Sequence, residues 1–120
     1  MSRYTLPESF YYAIVGIASV FKNERNMKIH FLASLAVVLF AYLADVTKFE
    51  WAILVITIFM VLIAEAVNTA IEKTVDLVTE TYHPLAKKAK NIAAGAVLLS
   101  AVNAVIIALI ILLPYLKAYI

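Results

Sequence analysis

Residues 51–76 read WAILVITIFMVLIAEAVNTAIEKTVD, and this stretch decides the architecture. From Trp51 to Ile71 it runs 21 residues with a single charge, Glu65. As a helix, that length crosses a hydrocarbon core about 30 Å thick. Two other stretches share its character. Sixteen residues without formal charge lie between Lys28 and Asp45, with His30 near their start, and 26 lie between Lys90 and Lys117. The shorter one suffices when its flanking side chains snorkel, and the longer one spans with tilt. Pro114 is expected to close the last helix. Three spans place the two termini on opposite sides of a bilayer.

Composition supports this reading. Of 120 residues, 65% are hydrophobic and 15% charged, and the mean hydropathy is +0.96. Soluble domains sit near 45–50% apolar and about 25% charged, and a chain this short cannot hide the excess in its own core. Disordered chains are poor in hydrophobic residues, which excludes that class. With no Cys, disulfide scaffolds and thiolate metal or redox sites are excluded as well. A net charge of +2, widely dispersed, points to no nucleic-acid partner. The expectation is one all-α integral-membrane domain over residues 1–120. It has a surface helix at 6–23 and helices at 28–45, 50–78 and 84–114 that contain the three spans.

The basic residues set an expected orientation. Arg3, Lys22, Arg25 and Lys28 precede the first span, and Lys73, Lys87, Lys88 and Lys90 surround the second loop. Only Lys48 lies in the first loop and only Lys117 in the tail. The positive-inside rule makes the N-terminus and second loop cytoplasmic. No apolar h-region with a small-residue cleavage site precedes the first span, so no cleavable signal peptide is expected. Residues 6–22 are too polar to span but have a helical period, with Phe10, Ile14, Ile17 and Phe21 on one face. Thr5 and Glu8 have capping-box spacing. The segment suits an amphipathic helix lying on the leaflet, or one packed on the span bundle; the two are not exclusive.

Ionisable groups inside a membrane are expensive, roughly 2.5–3.5 kcal/mol near a helix centre on insertion scales, so each needs a reason. Glu65, Asn68, Glu72 and Asp76 are spaced i, i+3, i+7 and i+11 and share one helix face. Glu65 lies about 21 Å in from Trp51, and Glu72 about 10 Å further, at headgroup level. One acid can meet a lipid headgroup and another a soluble ligand. A lone Glu in a span also fits a polar contact within an oligomer, but four polar residues in line beside Lys-rich sequence favour a site. A divalent cation would relieve the repulsion between aligned acids, and Mg²⁺ prefers carboxylate, water and phosphate oxygens. Glu24, at the junction of the surface helix and first span, could close such a site. Read alone, it is a solvated charge.

Lys87 and Lys88 read as topogenic, lipid-facing charge, whereas Lys90, nearest the membrane, can reach a phosphate. His83 fits a loop or helix-cap role, and two histidines cannot make a histidine metal cluster. Ser100 and Asn103 are explained by helix packing. No phosphate loop, nucleophile elbow or zinc-protease motif occurs. Phosphate chemistry would have to be built from carboxylates, metal and lysine. Two rivals of other classes fit the same residues: a small proton-coupled transporter, with Glu65 binding protons and substrate alternately, and a non-catalytic membrane subunit.

The run E-A-V-N-T-A-I-E-K-T-V-D at 65–76, with E-T-Y-H-P-L-A-K-K-A-K at 80–90 and A-A-G-A-V-L at 93–98, resembles the bacterial diacylglycerol kinase family. K-N-E-R-N-M-K-I-H at 22–30 is similar to the family's junction between surface helix and first span, and its E-R-N and His, with H-P-L-A-K, are closer to the undecaprenol kinase branch. The resemblance implies a homotrimer with active sites shared between subunits, in a bacterial inner membrane. It implies ATP as donor, Mg²⁺ on its phosphates, and a membrane lipid alcohol as acceptor, either undecaprenol or diacylglycerol. By motif match Glu65 would be the general base, Glu24 and Glu72 would hold the metal, and Asn68 would support them. Lys90 would contact the phosphates, and Tyr12, Thr81, Tyr82 and His83 would lie against the nucleotide. Asn91 stands where the family commonly carries Asp, beside that lysine. Thr5 stands where relatives often carry Arg, a contact that Arg3 would have to replace.

Overall fold

The computed structural model describes residues 3–120, which form four α-helices: α1 (Leu6–Asn23), α2 (Arg25–Ala44), α3 (Lys48–Val78) and α4 (Pro84–Tyr119). The last three are long and apolar enough to cross a membrane. At 1.5 Å per residue, the 31 residues of α3 and 36 of α4 make rods of roughly 46 and 54 Å, well beyond a hydrocarbon core of about 30 Å. Each therefore carries polar turns past the membrane boundary. α3 and α4 make the principal helix pair, with α2 laid against α3. Large apolar side chains such as Leu32, Leu43, Ile56, Phe59, Leu99 and Ile110 are exposed in the single chain, the arrangement of a protein solvated by lipid. This is a multi-pass membrane protein.

Local chemistry sets the helix ends. Thr5 and Glu8 form the expected capping box, and the Thr5 hydroxyl and amide hold the exposed Glu8 carboxyl below the usual carboxylate range. α1 and α2 are separated by one residue, Glu24, in extended conformation. Arg25–Asn26–Met27 resists helix no more than the residues after it, so α2 begins there, ahead of the expected start at 28. Across the break, the Phe21 and Phe31 rings meet edge to face at 5.2 Å, a pairing worth about 0.5–1.5 kcal/mol. Every residue of α1 is exposed or half-buried.

α2 closes with Asp45 in the left-handed region and Val46 N–H donating to the Ala41 carbonyl, a Schellman-type end that tucks Val46 into the core. Thr47 and Glu50 then make a second capping box at the start of α3. Around this turn Ala41, Ala44, Val46, Leu54 and Ile111 form the apolar cluster. The expected end at Pro114 does not occur; α4 continues to Tyr119. Proline removes one N–H, and membrane helices tolerate the loss where neighbouring structure holds the turn. Here the next residue, Tyr115, packs against the apolar cluster and donates its hydroxyl to Glu50 Oε1.

Candidate active site

One face of α3 is buried along its length: Leu54, Thr57, Val61, Glu65, Asn68 and Thr69. The first three are apolar or self-satisfied, because Thr57 donates its hydroxyl to the Ile53 carbonyl at 2.8 Å. Thr69 does the same to the Glu65 carbonyl at 3.0 Å. Hydroxyls can lie in a span at little cost because the backbone of their own helix accepts from them. Glu65 and Asn68 have no such outlet.

Glu65 is only 2% exposed. Its Oε2 and the Asn68 Oδ1 are buried and find no hydrogen-bond partner among the described residues. Burying a polar group unpaired costs free energy, and burying a charge costs much more, so such atoms ask for a ligand. Asn68 spends its amide N–H on Glu72 Oε1 at 2.8 Å, which orients the half-buried Glu72 carboxylate and turns the Asn68 oxygen inward. Glu24, the single residue between α1 and α2, makes no capping bond to α2 with its carboxylate.

A second group forms where α3 and α4 emerge. Lys90 Nζ is 2.6 Å from Asp76 Oδ1, with both side chains substantially exposed. Such a pair contributes little stability and exchanges readily. Asp76, Thr81, Tyr82, His83, Lys90 and Asn91 line one open cavity of about 280 Å³. His83 caps α4 by accepting the Leu85 N–H on Nδ1 at 3.1 Å, and Pro84 occupies the first helical turn, so the loop's geometry is locally fixed. Tyr12 is not brought to this cavity; its ring lies 4.6 Å from that of Tyr4.

The expected α3 acids and the 81–83 and 90–91 residues thus fall into two adjoining groups along one end of the α3–α4 pair. His30 is the residue that sequence reasoning passed over. Its Nε2 lies 3.9 Å from Glu65 Oε2. The signal was available, since a histidine inside a span is itself an intramembrane ionisable group.

Buried unpaired carboxylate, oriented second acid and lysine-bearing open cavity are the ingredients for phosphate chemistry at a membrane surface. The sequence profile described as prokaryotic diacylglycerol kinase matches residues 11–112. The chain belongs to that family. It is a lipid kinase, a phosphotransferase, for which ATP is the phosphoryl donor. An undecaprenol kinase from Bacillus subtilis is 45% identical over 107 residues, covering 89% of this chain and 87% of its own. A diacylglycerol kinase from Synechocystis is 46% identical over 107 residues, covering 88% of this chain and 61% of its own. One from Escherichia coli is 33% identical over 95 residues, covering 79% and 78%. These relatives are kinases by name, and the transporter reading finds no support among them.

Proposed function

We propose that this kinase phosphorylates undecaprenol, transferring the γ-phosphoryl group of ATP to the lipid hydroxyl and giving undecaprenyl phosphate. The observation that carries the reading is the Glu65 carboxylate, 2% exposed and without a hydrogen-bond partner at Oε2 among the described residues, on a helix long and apolar enough to cross a membrane. Its similarity to the Bacillus subtilis undecaprenol kinase supports the choice of alcohol.

In this mechanism Glu65 takes the proton of the lipid hydroxyl as its oxygen attacks phosphorus, the role a positioned carboxylate fills in general base catalysis. Lys90 leaves Asp76 for the phosphates, an exchange that the exposure of the pair makes cheap. Thr81, Tyr82, His83 and Asn91 hold the nucleotide in the cavity they line, and Tyr12 joins them from α1. Glu24 and Glu72 would hold Mg²⁺, with Asn68 orienting Glu72. Their oxygens suit a hard cation, and the inward Asn68 Oδ1 lacks a partner among the described residues. Among those residues no cluster of three Asp, Glu or His could hold a metal unaided, so phosphate and water oxygens would complete the set. Bound there, the cation would neutralise charge on the transferring group. A homotrimer with sites shared between subunits would bring Tyr12 of one chain to the cavity of another. The excess of Lys and Arg at the α1–α2 junction and the α3–α4 loop supports a cytoplasmic site and N-terminus in a bacterial inner membrane, with α1 as an amphipathic helix on that leaflet.

Diacylglycerol is the second reading, favoured by the Synechocystis relative. Purified protein in mixed micelles with labelled ATP, Mg²⁺ and either lipid decides between them. Undecaprenol is expected to be labelled faster by roughly tenfold, a transition-state difference of about 1.4 kcal/mol. Faster labelling of diacylglycerol would transfer the assignment to phosphatidic acid synthesis. Label in neither lipid, from folded protein, would refute both.

A further inference from the structure

His30 is an ionisable group inside the first span that the phosphoryl transfer, as described, leaves unused. Its Nε2 lies 3.9 Å from Glu65 Oε2, the buried oxygen without a hydrogen-bond partner among the described residues. That separation is too long for a hydrogen bond. A small ring rotation or one bridging water closes it, and catalytic hydrogen bonds are often long before substrate arrives. The histidine side chain is 22% exposed, on the wall of an apolar cavity between α2, α3 and α4 that Val37, Leu54 and Val61 also line. It therefore stands between the carboxylate and an apolar space within the bundle. A neutral imidazole at 3.9 Å offers Glu65 a hydrogen-bond donor.

We infer that His30 is a positioning residue for Glu65, an assignment that rests on Glu65 being the base. The neutral imidazole donates its Nε2–H to Oε2, fixing the carboxylate's rotation and leaving the other oxygen for the substrate hydroxyl. In the transfer the lipid O–H bond breaks and its proton goes to Glu65. The new O–P bond forms, and the P–O bond to ADP breaks with its electron pair on the ADP oxygen. His30 keeps its proton throughout and touches neither phosphate nor lipid hydroxyl.

Three variants test this in the micelle assay. His30→Leu removes the donor while keeping apolar bulk suited to a span. His30→Gln returns an N–H at comparable reach, and His30→Asn carries the same amide too short to reach. Leu and Asn are expected to lower kcat about 10–100-fold, as misplacement of a reacting group does. KM for ATP, oligomer size and thermal midpoint should stay near wild type, and Gln should recover most of the rate. A kcat within about twofold of wild type for Leu and Asn, or equal losses for all three, would overturn the role. A rise in KM for ATP together with a lower thermal midpoint would make His30 structural and overturn it too. Glu65→Gln, run alongside, separates the two ideas. If it is inactive while His30→Leu is fully active, only the positioning role falls; if it is active, the base and its positioning residue fall together.

Discussion

α3 presents one glutamate to the bundle in its first turn and another just past its midpoint, and the two are treated in opposite ways. Glu50 accepts the Thr47 N–H at 2.9 Å and the Tyr115 hydroxyl, above an apolar cluster of Ala41, Val46, Leu54 and Ile111. That end is complete within one chain. Glu65, more deeply buried, has an oxygen with no hydrogen-bond partner among the described residues and an imidazole at 3.9 Å. A carboxylate whose bonds are made serves the fold, while one held dry and unpaired lowers stability, the setting in which functional carboxylates cluster. Under the proposed mechanism the helix is a scaffold at its start and a reactive surface past its midpoint.

Replacing Glu65, the proposed base, gives the largest expected effect. Glu65→Gln should lower kcat by about 10²–10⁴-fold, the usual span for a general base, while the thermal midpoint in detergent holds or rises. The neutral amide is cheaper to bury than a charge. A variant that keeps its rate, or that unfolds much earlier, would erase the contrast between the two glutamates. Glu72→Gln should come next. The amide oxygen can still accept from Asn68, so orientation survives and only charge is lost. The Mg²⁺ concentration for half-maximal rate should rise about 10–100-fold, read by magnesium titration at saturating ATP. An unmoved titration would remove Glu72 as a metal ligand.

The contrast is partly legible in the sequence. Charge-free stretches mark spans because charge is costly in hydrocarbon, so all three spans could be read. Glu65, Asn68 and Glu72 share a face by helical period alone, and the 81–83 and 90–91 residues meet because the loop leads straight into α4, whose second turn carries Lys90 and Asn91. What escaped depends on packing between helices. The junction at Glu24 was legible, but the start of α2 at Arg25, three residues ahead of 28, was not. Pro114 reads as a stop, yet α4 carries through it to Tyr119. Glu50 and Tyr115 are 65 positions apart, and their pairing follows from the α3–α4 register. His30 faces Glu65 through the rotation of α2, which a span of nearly uniform hydrophobicity does not reveal. The Thr47–Glu50 box, by contrast, repeats the Thr5–Glu8 pattern and was readable.

The smallest effect should come from the completed end. Tyr115→Phe keeps the ring against the apolar cluster and removes only the hydroxyl that Glu50 accepts. Glu50 retains the Thr47 N–H and is half-exposed, so water or headgroup donors replace the lost bond and the net cost is modest. The thermal midpoint should fall by a few degrees at most, with kcat and both KM values unchanged in the micelle assay. This is the mirror image of Glu65→Gln, which loses rate without losing stability. A drop in kcat for Tyr115→Phe would show that α4 couples the two regions, because Tyr115 and the lysine-bearing turn at Lys90 lie on the same continuous helix. The division between scaffold and reactive surface would then lie between helices and not along α3.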